Sequence, residues 1–304
     1  MKFSVVDGRI FNPGDLSWEG FRALAEVSVI NFEVEPSLSA VIDCLQGSQG
    51  AMLRQWVVKQ ELLEACPELK FITLTSTGYD QVDREALDYA ARHGVTICNI
   101  PAYGTSAVAQ HTFALLLELC NQVGHYDRAV KRGCWGSSGD FCFWDRPMAH
   151  SFGMKLLADE RHKKPCAVPV EFVPREELFA RADVISLHCP LTEGSRQMIR
   201  AERIAGMKPG VLLLNTARGG LLKEADVARA LENGQLGGLG VDVAATEPIP
   251  PDSPLLRAPN CIITPHVAWV PKETRQRLLD FAVENLRCYL AGRPINVIGG
   301  PGKL

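Results

Sequence analysis

The sequence has no long apolar run, no excess of charge of either sign and no closely spaced pair of cysteines. Its longest apolar runs are far too short to cross a bilayer. The first residues lack the basic stretch and apolar core of a secretory signal. The formal net charge of −3 gives no general attraction to nucleic acid or to an anionic membrane. These absences predict a cytoplasmic protein with no membrane or nucleic-acid partner.

The cysteines point to the same compartment. There are ten of them, none in a C-x-x-C spacing, and most lie in apolar surroundings. This pattern is typical of free thiols in a reducing environment and argues against a disulfide framework or a zinc site. We therefore expect no bound metal.

The composition is that of a globular protein with a sizeable core, 46% hydrophobic and 22% charged. A length of 304 residues suits two domains. Short apolar stretches with strand character alternate with stretches of helical spacing, first between residues 2 and 99 and again beyond residue 154. This alternation predicts an α/β protein built on parallel sheets.

The most informative stretch is the apolar run 211–214, which predicts a strand buried on both faces and is followed closely by Arg218. Two later strand candidates are likewise followed by an ionisable side chain. Residues 238–243 lead to Glu247, and residues 261–264 lead to His266. Ligands bind outside the carboxyl ends of parallel strands, so we expect the three side chains to converge. A cation, a carboxylate and an imidazole together predict an acid/base site with an anion clamp.

A long helix is predicted from about residue 107 to beyond residue 122, apolar on nearly every side. Two interpretations remain open. The helix contacts a second domain or subunit, or it is a fully buried core helix.

Three motifs carry a family resemblance. The runs 215–220 (Asn-Thr-Ala-Arg-Gly-Gly), 242–248 (Asp-Val with Glu-Pro at its end) and 264–266 (Thr-Pro-His) resemble the signatures of the D-isomer-specific 2-hydroxyacid dehydrogenases. The similarity extends over nearly the whole chain. Further runs resemble the glycerate dehydrogenase (hydroxypyruvate reductase) branch, namely 12–18 (Asn-Pro-Gly-Asp-Leu-Ser-Trp), 77–80, 106–112 and 266–269.

The resemblance implies two doubly wound, Rossmann-like domains with a cleft between them. Residues 1–100 and 282–304 would bind the substrate, and residues 101–281 would bind the nicotinamide dinucleotide. It also implies hydride transfer between NAD(H) and a small D-2-hydroxy or 2-oxo acid. Many relatives are homodimers built on the long helix, so a homodimer is expected here.

Each motif residue then acquires an expected role. Hydride addition to a ketone creates an alkoxide, which His266 would protonate, since imidazole titrates near neutral pH. Glu247 would orient the ring and favour its protonated form. Arg218 would grip the substrate carboxylate with its planar fork. Backbone N–H groups of the loop Ser76, Thr77 and Gly78 would complete the substrate site, unless this loop is an ordinary turn.

The expected cofactor contacts are spread along the chain. Asp159 or Glu160, at the end of a strand, would take the adenosine ribose hydroxyls, which favours NAD. The basic run 161–164 that follows leaves NADP open. Asp242 is expected near the nicotinamide carboxamide. The expected set is Thr105, Asp159, Glu160, Cys189, Pro190, Ala217, Arg218, Asp242, His266 and Ala268.

One family feature is missing. The cofactor domain of these enzymes opens with a strand, a G-x-G-x-x-G turn and a helix, and this sequence contains no such motif. About 25 residues, nearly a strand–turn–helix unit, are absent between residues 149 and 150. Either the protein carries the unit and the sequence omits it, or the unit is truly deleted. We favour the first interpretation, because deletion would break the centre of the sheet.

The substrate expected from the branch resemblance is hydroxypyruvate/D-glycerate or glyoxylate/glycolate. Phosphoglycerate or D-lactate dehydrogenase activity is an alternative within the same chemistry. A different class is also open, because a nicotinamide-sensing, corepressor-like interaction protein would keep the same three residues. A protein that truly lacks the strand–turn–helix unit would be a catalytically dead remnant.

Overall fold

The computed structural model describes residues 1–138, 141, 153–160 and 168–300. The chain divides into two units: unit 1 comprises Met1–Ala107 and Trp269–Leu304, and unit 2 comprises Val108–Ala268. The chain thus leaves unit 1 once and returns to it. The expected junction between residues 149 and 150 lies outside the described residues, as does the basic run 161–164.

Unit 1 begins with strands and helices in alternation. Its strands are β1 (Lys2–Val6), β2 (Glu26–Ile30), β3 (Gly50–Leu53), β4 (Phe71–Leu74) and β5 (Thr96–Cys98). Its helices are α1 (Gly8–Phe11), α2 (Glu19–Arg22), α3 (Leu38–Leu45), α4 (Gln60–Ala65) and α5 (Arg84–His93). These five strands are parallel and lie in the order β5-β4-β3-β1-β2. Neither α3 nor the central strand β3 was predicted from the sequence.

The chain passes into unit 2 through the long helix, which is followed by two shorter ones: α6 (Thr105–Asn121), α7 (Val123–Lys131) and α8 (Cys134–Ser138). The helix was predicted to extend beyond residue 122, but it ends at Asn121, because Gln122 adopts a left-handed φ of 51°. One side of α6 packs Leu115 and Leu116 against Leu214. Another side leaves Phe113 52% exposed. The interpretation of α6 as a fully buried core helix is therefore wrong.

Unit 2 continues with further strands and helices. In chain order they are β6 (Leu157–Ala158), β7 (Glu171–Phe172), α9 (Arg175–Arg181), β8 (Val184–Leu187), α10 (Ala201–Ile204), β9 (Val211–Asn215), α11 (Glu224–Glu232), β10 (Leu236–Val241) and β11 (Cys261–Ile263). Strands β8 to β11 form a parallel sheet in the order β11-β10-β9-β8. Leu213 and Leu239 at its centre are completely buried.

The remaining two strands of unit 2 do not belong to this four-stranded sheet. Strands β6 and β7 pair only with each other, in a separate parallel two-stranded sheet. In the dinucleotide-binding fold the strand order is 3-2-1-4-5-6, so the first strand joins strands 2 and 4. By chain order β6 and β8 occupy positions 2 and 4, and no strand within the described residues joins them. The split falls where the absent strand–turn–helix unit belongs.

The chain returns to unit 1 with α12 (Lys272–Leu290) and β12 (Val297–Gly299). Strand β12 pairs antiparallel with β5 and completes a six-stranded sheet. Helix α12 buries Leu278, Ala282 and Leu286 in the core of unit 1. The expected domain boundary at 281/282 would divide this helix, and so the boundary lies instead at 268/269.

The run 12–18, noted in the sequence for its branch resemblance, anchors the start of α12. The side-chain oxygen of Asn12 accepts the N–H groups of Gly14 and Leu16, which fixes a tight loop. Asp15 then forms a bidentate ion pair with Arg275, at 2.8 and 2.7 Å. The Arg275 side chain is only 8% exposed and also donates to the carbonyl of Val270.

Three expectations concerned a membrane span, disulfides and a metal site. No helix in the part of the chain that the structure describes is long and apolar enough to span a membrane. The eight cysteines within the described ranges are all free thiols. Nor do those ranges hold a group of three or more side chains suited to bind a metal ion.

Candidate active site

The three expected catalytic residues all belong to unit 2 and follow three adjacent strands of its sheet. Arg218 lies just beyond β9, Glu247 beyond β10 and His266 beyond β11. Because these strands are parallel and neighbouring, their carboxyl ends share one edge. The sheet topology therefore brings the three chain segments to the same side of the unit.

His266 and Glu247 form a direct pair. The ring Nδ1 lies 2.7 Å from Oε2 of Glu247, and both side chains are partly exposed. A carboxylate can only accept, so Nδ1 carries the hydrogen. Nε2 is then the ring atom that takes up and releases a proton. This tautomer is the one required of a general acid/base whose orientation is fixed by a carboxylate.

The surroundings of Glu247 keep it ionised. Burial alone would raise the pKa of this carboxyl, but its hydrogen bond and charge interaction with His266 act in the opposite direction. The Ala244 N–H, 3.0 Å from Oε1, and the positive charge of Arg218 add to the lowering. The net result is a pKa below the ordinary glutamate value. The carboxylate therefore remains negative over the pH range in which imidazole titrates.

A tight turn presents Arg218. The buried side chain of Asn215 accepts the N–H of Ala217 at 3.0 Å and donates to the carbonyl of Arg218 at 2.9 Å. Arg218 also donates from its guanidinium to the carbonyl of Ala217. Asn215 belongs to the motif 215–220, but no role was predicted for it from the sequence. Its position at the end of an apolar strand was the available signal.

Gly219 allows this turn to lie directly on the loop that leads to Glu247. A Cβ at this position would fall well inside van der Waals contact of the carbonyl group of Ala244 and the nitrogen of Ala245. The Ala245 N–H is itself held by Glu224 at 2.8 Å. The loops that carry Arg218 and Glu247 are thus in backbone-to-backbone contact.

Asp242 organises the loop that carries His266. Its side chain is 1% exposed and accepts the N–H groups of Val267 and Ala268, at 2.9 and 2.8 Å, and the hydroxyl of Thr264 at 2.5 Å. We expected Asp242 and Ala268 at the cofactor. The structure shows that they bind each other and that both oxygens of Asp242 serve the loop.

The other expected cofactor residues lie at strand ends or at the start of a helix. Asp159 and Glu160 follow β6, and Cys189 and Pro190 follow β8. Asp159 is paired with Arg175 at 2.8 Å. Thr105 is the first residue of α6 and belongs to unit 1.

The expected substrate loop belongs to unit 1 and follows β4. Ser76 donates to the carbonyl of Gly78, and Thr77 donates to the carbonyl of Ile100, both at 2.7 Å. Asn99 donates to the carbonyl of Thr77. These bonds use the loop's hydroxyl and carbonyl groups, not the N–H groups expected to hold a carboxylate.

Comparison with known proteins gives the family. The profile described as "D-isomer specific 2-hydroxyacid dehydrogenase, NAD binding domain" matches residues 146–268. A hydroxypyruvate reductase from Blautia hydrogenotrophica is 40% identical, with 98% of this chain and 99% of that protein covered. The chain belongs to the D-isomer-specific 2-hydroxyacid dehydrogenases. It is therefore an NAD(P)-linked oxidoreductase of small hydroxy and oxo acids.

Other relatives of this dehydrogenase agree. A glycerate dehydrogenase from Methylorubrum extorquens is 36% identical and covers 85% of this chain and 88% of its own length. Among solved structures, a D-lactate dehydrogenase from Aquifex aeolicus, complexed with NAD and lactic acid, superposes with a TM-score of 0.80. Its identity is 26%, with 99% of this chain and all of that chain covered.

The alignment to the Blautia hydroxypyruvate reductase also bears on the missing unit. It spans 323 positions, which exceeds the 304 residues of this dehydrogenase by 19. At least that many positions of the alignment therefore have no counterpart in this chain. The absence of a G-x-G-x-x-G turn and the split sheet of unit 2 are consistent with this difference.

The donor set can be compared with what a dinucleotide requires. Strand-end acids after β6 suit a ribose, and the segments after β8 and β9 lie where a dinucleotide crosses the sheet edge. These residues fit the ribose and nicotinamide ends of NAD(P). The glycine turn that would approach the pyrophosphate is not in the sequence.

Proposed function

We propose that this dehydrogenase interconverts hydroxypyruvate and D-glycerate, or glyoxylate and glycolate, with NAD(H). The observation that carries the proposal is the 2.7 Å bond between His266 and Glu247 at adjacent strand ends. The names of the Blautia and Methylorubrum relatives support the choice of substrate. The strand-end acids Asp159 and Glu160 support NAD over NADP.

The proposed chemistry assigns one task to each side chain. The bound dinucleotide supplies the hydride. His266 gives the proton on Nε2 to the substrate oxygen during reduction and takes it back during oxidation. Glu247, kept ionised, holds Nδ1 and stabilises the imidazolium. Arg218 binds the substrate carboxylate through its planar fork and polarises the adjacent carbonyl.

The remaining expected contacts belong to the same proposal. The N–H groups of Ser76, Thr77 and Gly78 in unit 1 would bind the substrate carboxylate. The cofactor would contact Thr105, the strand-end acids, the segment Cys189 and Pro190, and Ala217. Asp242 and Ala268 would act from the loop of His266.

Removal of the proton donor is the direct test. His266→Ala should lower kcat by about 10²–10⁴, the scale of a positioned general acid, with cofactor affinity nearly unchanged. Arg218→Lys should also strongly lower kcat/KM for hydroxypyruvate, because the point charge of lysine cannot replace the planar, two-pronged guanidinium of arginine. The assay is steady-state oxidation of NADH with hydroxypyruvate across pH. His93→Ala, in α5 of unit 1, is the control.

The same assay can reject the assignment of His266 as the proton donor. If His266→Ala keeps the parental turnover and pH profile, His266 is not the proton donor. If neither variant matters and peptide partners are captured without turnover of any 2-oxo acid, the corepressor-like alternative is favoured.

We further propose a cytoplasmic homodimer in which a second copy covers α6. The support is the apolar side that α6 leaves uncovered, where Phe113 is 52% exposed and Ala109 and Ala114 are exposed beside it. Sedimentation at micromolar concentration tests the dimer, and a monomer would contradict it.

A further inference from the structure

The loop that carries His266 depends on contacts that our sequence analysis did not find. His266 has a φ of 55°, a left-handed conformation that residues other than glycine rarely adopt. Its N–H donates to the carbonyl of Thr264 at 3.0 Å. Beyond it, the N–H groups of Val267 and Ala268 bind the buried carboxylate of Asp242. The position of His266 is therefore set by how firmly Thr264 and Asp242 are held.

Helix α6 supplies a second histidine to this cluster. Nε2 of His111 lies 3.0 Å from Oγ1 of Thr264 and 3.5 Å from Oδ1 of Asp242. The His111 side chain is 22% exposed, against 1% for Asp242. It therefore closes the cluster on the side of α6.

The hydrogens available to Thr264 determine which atom donates in its contact with His111. Thr264 has one hydroxyl proton, and its shortest contact is the 2.5 Å bond to the carboxylate of Asp242. The carbonyl of Val241, at 3.4 Å, is a much longer alternative. Oγ1 of Thr264 must then accept from His111, so Nε2 of His111 carries a hydrogen. The partial positive charge of this N–H also points towards the buried carboxylate of Asp242, 3.5 Å away.

The next residue of α6 makes an equivalent contact to the loop of Arg218. Thr112 donates its hydroxyl to the carbonyl of Val108 at 2.8 Å, one helical turn earlier. Its Oγ1 therefore accepts from Thr216, 3.0 Å away and two residues before Arg218. Consecutive residues of one helix thus bind the loops that carry two of the three catalytic candidates.

We propose that His111 is a positioning residue for the reaction. Its Nε2–H holds the hydroxyl of Thr264 on Asp242 and so fixes the position and orientation of His266 beside Glu247. Thr112 holds the loop of Arg218 by accepting a hydrogen bond from the hydroxyl of Thr216. The proposal rests on the function proposed above, in which His266 is the proton donor.

Two substitutions at residue 111 separate the hydrogen bond from packing. His111→Gln places an amide N–H near the position of Nε2, whereas His111→Leu keeps bulk without a donor. We expect His111→Leu to lower kcat about 10-fold or more with a much smaller change in the KM for hydroxypyruvate, because misplacement of a catalytic group acts mainly on the chemical step. His111→Gln should recover most of the lost kcat.

Leu116→Val serves as the matched control, because it weakens the packing of the same helix and leaves the hydrogen bonds of His111 and Thr112 in place. If His111 acted only through stability, both variants would lower kcat in proportion to their loss of Tm. An unchanged kcat in His111→Leu, or an equal loss in His111→Leu and His111→Gln, would overturn the proposal.

A measurement without turnover distinguishes this proposal from the proposed function. The ring signal of His266 can be followed by NMR in the substrate-free protein, with His266→Ala used for assignment. His111→Leu should shift or broaden this signal, and His111→Gln should restore it. If that holds while His266→Ala keeps parental activity, the positioning is right and the proposed function is wrong. If the signal is unmoved in His111→Leu, the positioning is wrong whatever the activity.

Discussion

The contact of Gly219 with the loop before Glu247 allows a sharp prediction. In Gly219→Ala, the added Cβ would meet the carbonyl group of Ala244 and the nitrogen of Ala245, which are backbone atoms and cannot rotate away. The two loops must separate by at least about 1 Å to bring even this closest approach to 3.0 Å. A displacement of 1 Å in an active site costs about 10²-fold in rate. We therefore expect kcat/KM to fall about 100-fold or more.

Gly220→Ala is the matched control. A Cβ there would approach Cδ2 of Leu191 at 2.9 Å, the end of a flexible side chain that can move aside. We expect less than about a 3-fold change in kcat/KM for this variant. The assay is NADH-dependent reduction of hydroxypyruvate, with far-UV circular dichroism and Tm measured on both variants. Equal activity of the two variants at similar Tm would refute the steric argument.

Three further predictions address charge, stability and assembly. Glu247→Gln should lower kcat for NADH-dependent reduction of hydroxypyruvate with a much smaller change in KM, because a neutral amide replaces the charge-assisted hydrogen bond that orients the ring of His266. Asp15→Asn should lower the Tm at pH 7, since hydrogen bonding to Arg275 lowers the pKa of Asp15. This stabilisation exists above the unfolded-state pKa of about 3.9 and is lost as pH falls through the lower folded value, so the Tm difference should shrink as the pH is lowered below about 3.9. Phe113→Glu should shift sedimentation from dimer to monomer, because a charge would enter the apolar contact.

Local patterns in the sequence were sufficient to find the elements that present the catalytic candidates. The buried strand β9 was visible as four apolar residues followed closely by Arg218, strand β10 overlaps the predicted stretch 238–243, and β11 lies within the predicted stretch 261–264. The convergence of the chain segments that carry Arg218, Glu247 and His266 was predicted from the rule for the carboxyl ends of parallel strands, whereas the pairing of His266 with Glu247 was implied by the family resemblance. The strands and their convergence thus required only neighbours in sequence and a general rule of sheet topology.

What escaped prediction depends on contacts between residues far apart in the chain. His111 contacts Thr264 across 153 positions, and although the run 106–112 was noted for its branch resemblance, nothing in it identifies a partner for His111. The family resemblance placed Asp242 near the nicotinamide, and its hydrogen bonds to the N–H groups of Val267 and Ala268 became visible only in the structure. Strand β3 has four residues and begins with a glycine, too short for a periodic pattern.

The split sheet of unit 2 carries the last prediction. By chain order, strands β6 and β8 correspond to the two strands that flank the first strand of a dinucleotide-binding sheet. Among the described residues, β6 pairs only with β7 and β8 only with β9, so each has one edge without a partner strand. Open edges of this kind leave backbone N–H and C=O groups without partners, which is costly in the middle of a domain. We therefore expect the protein expressed from its own genomic locus to carry the strand–turn–helix unit. Intact mass spectrometry should give roughly 2–3 kDa above the 33.3 kDa of this sequence. A mass of 33.3 kDa, together with no NADH binding by calorimetry, would show instead that the unit is truly deleted and that the acid/base pair survives in a protein unable to hold its cofactor.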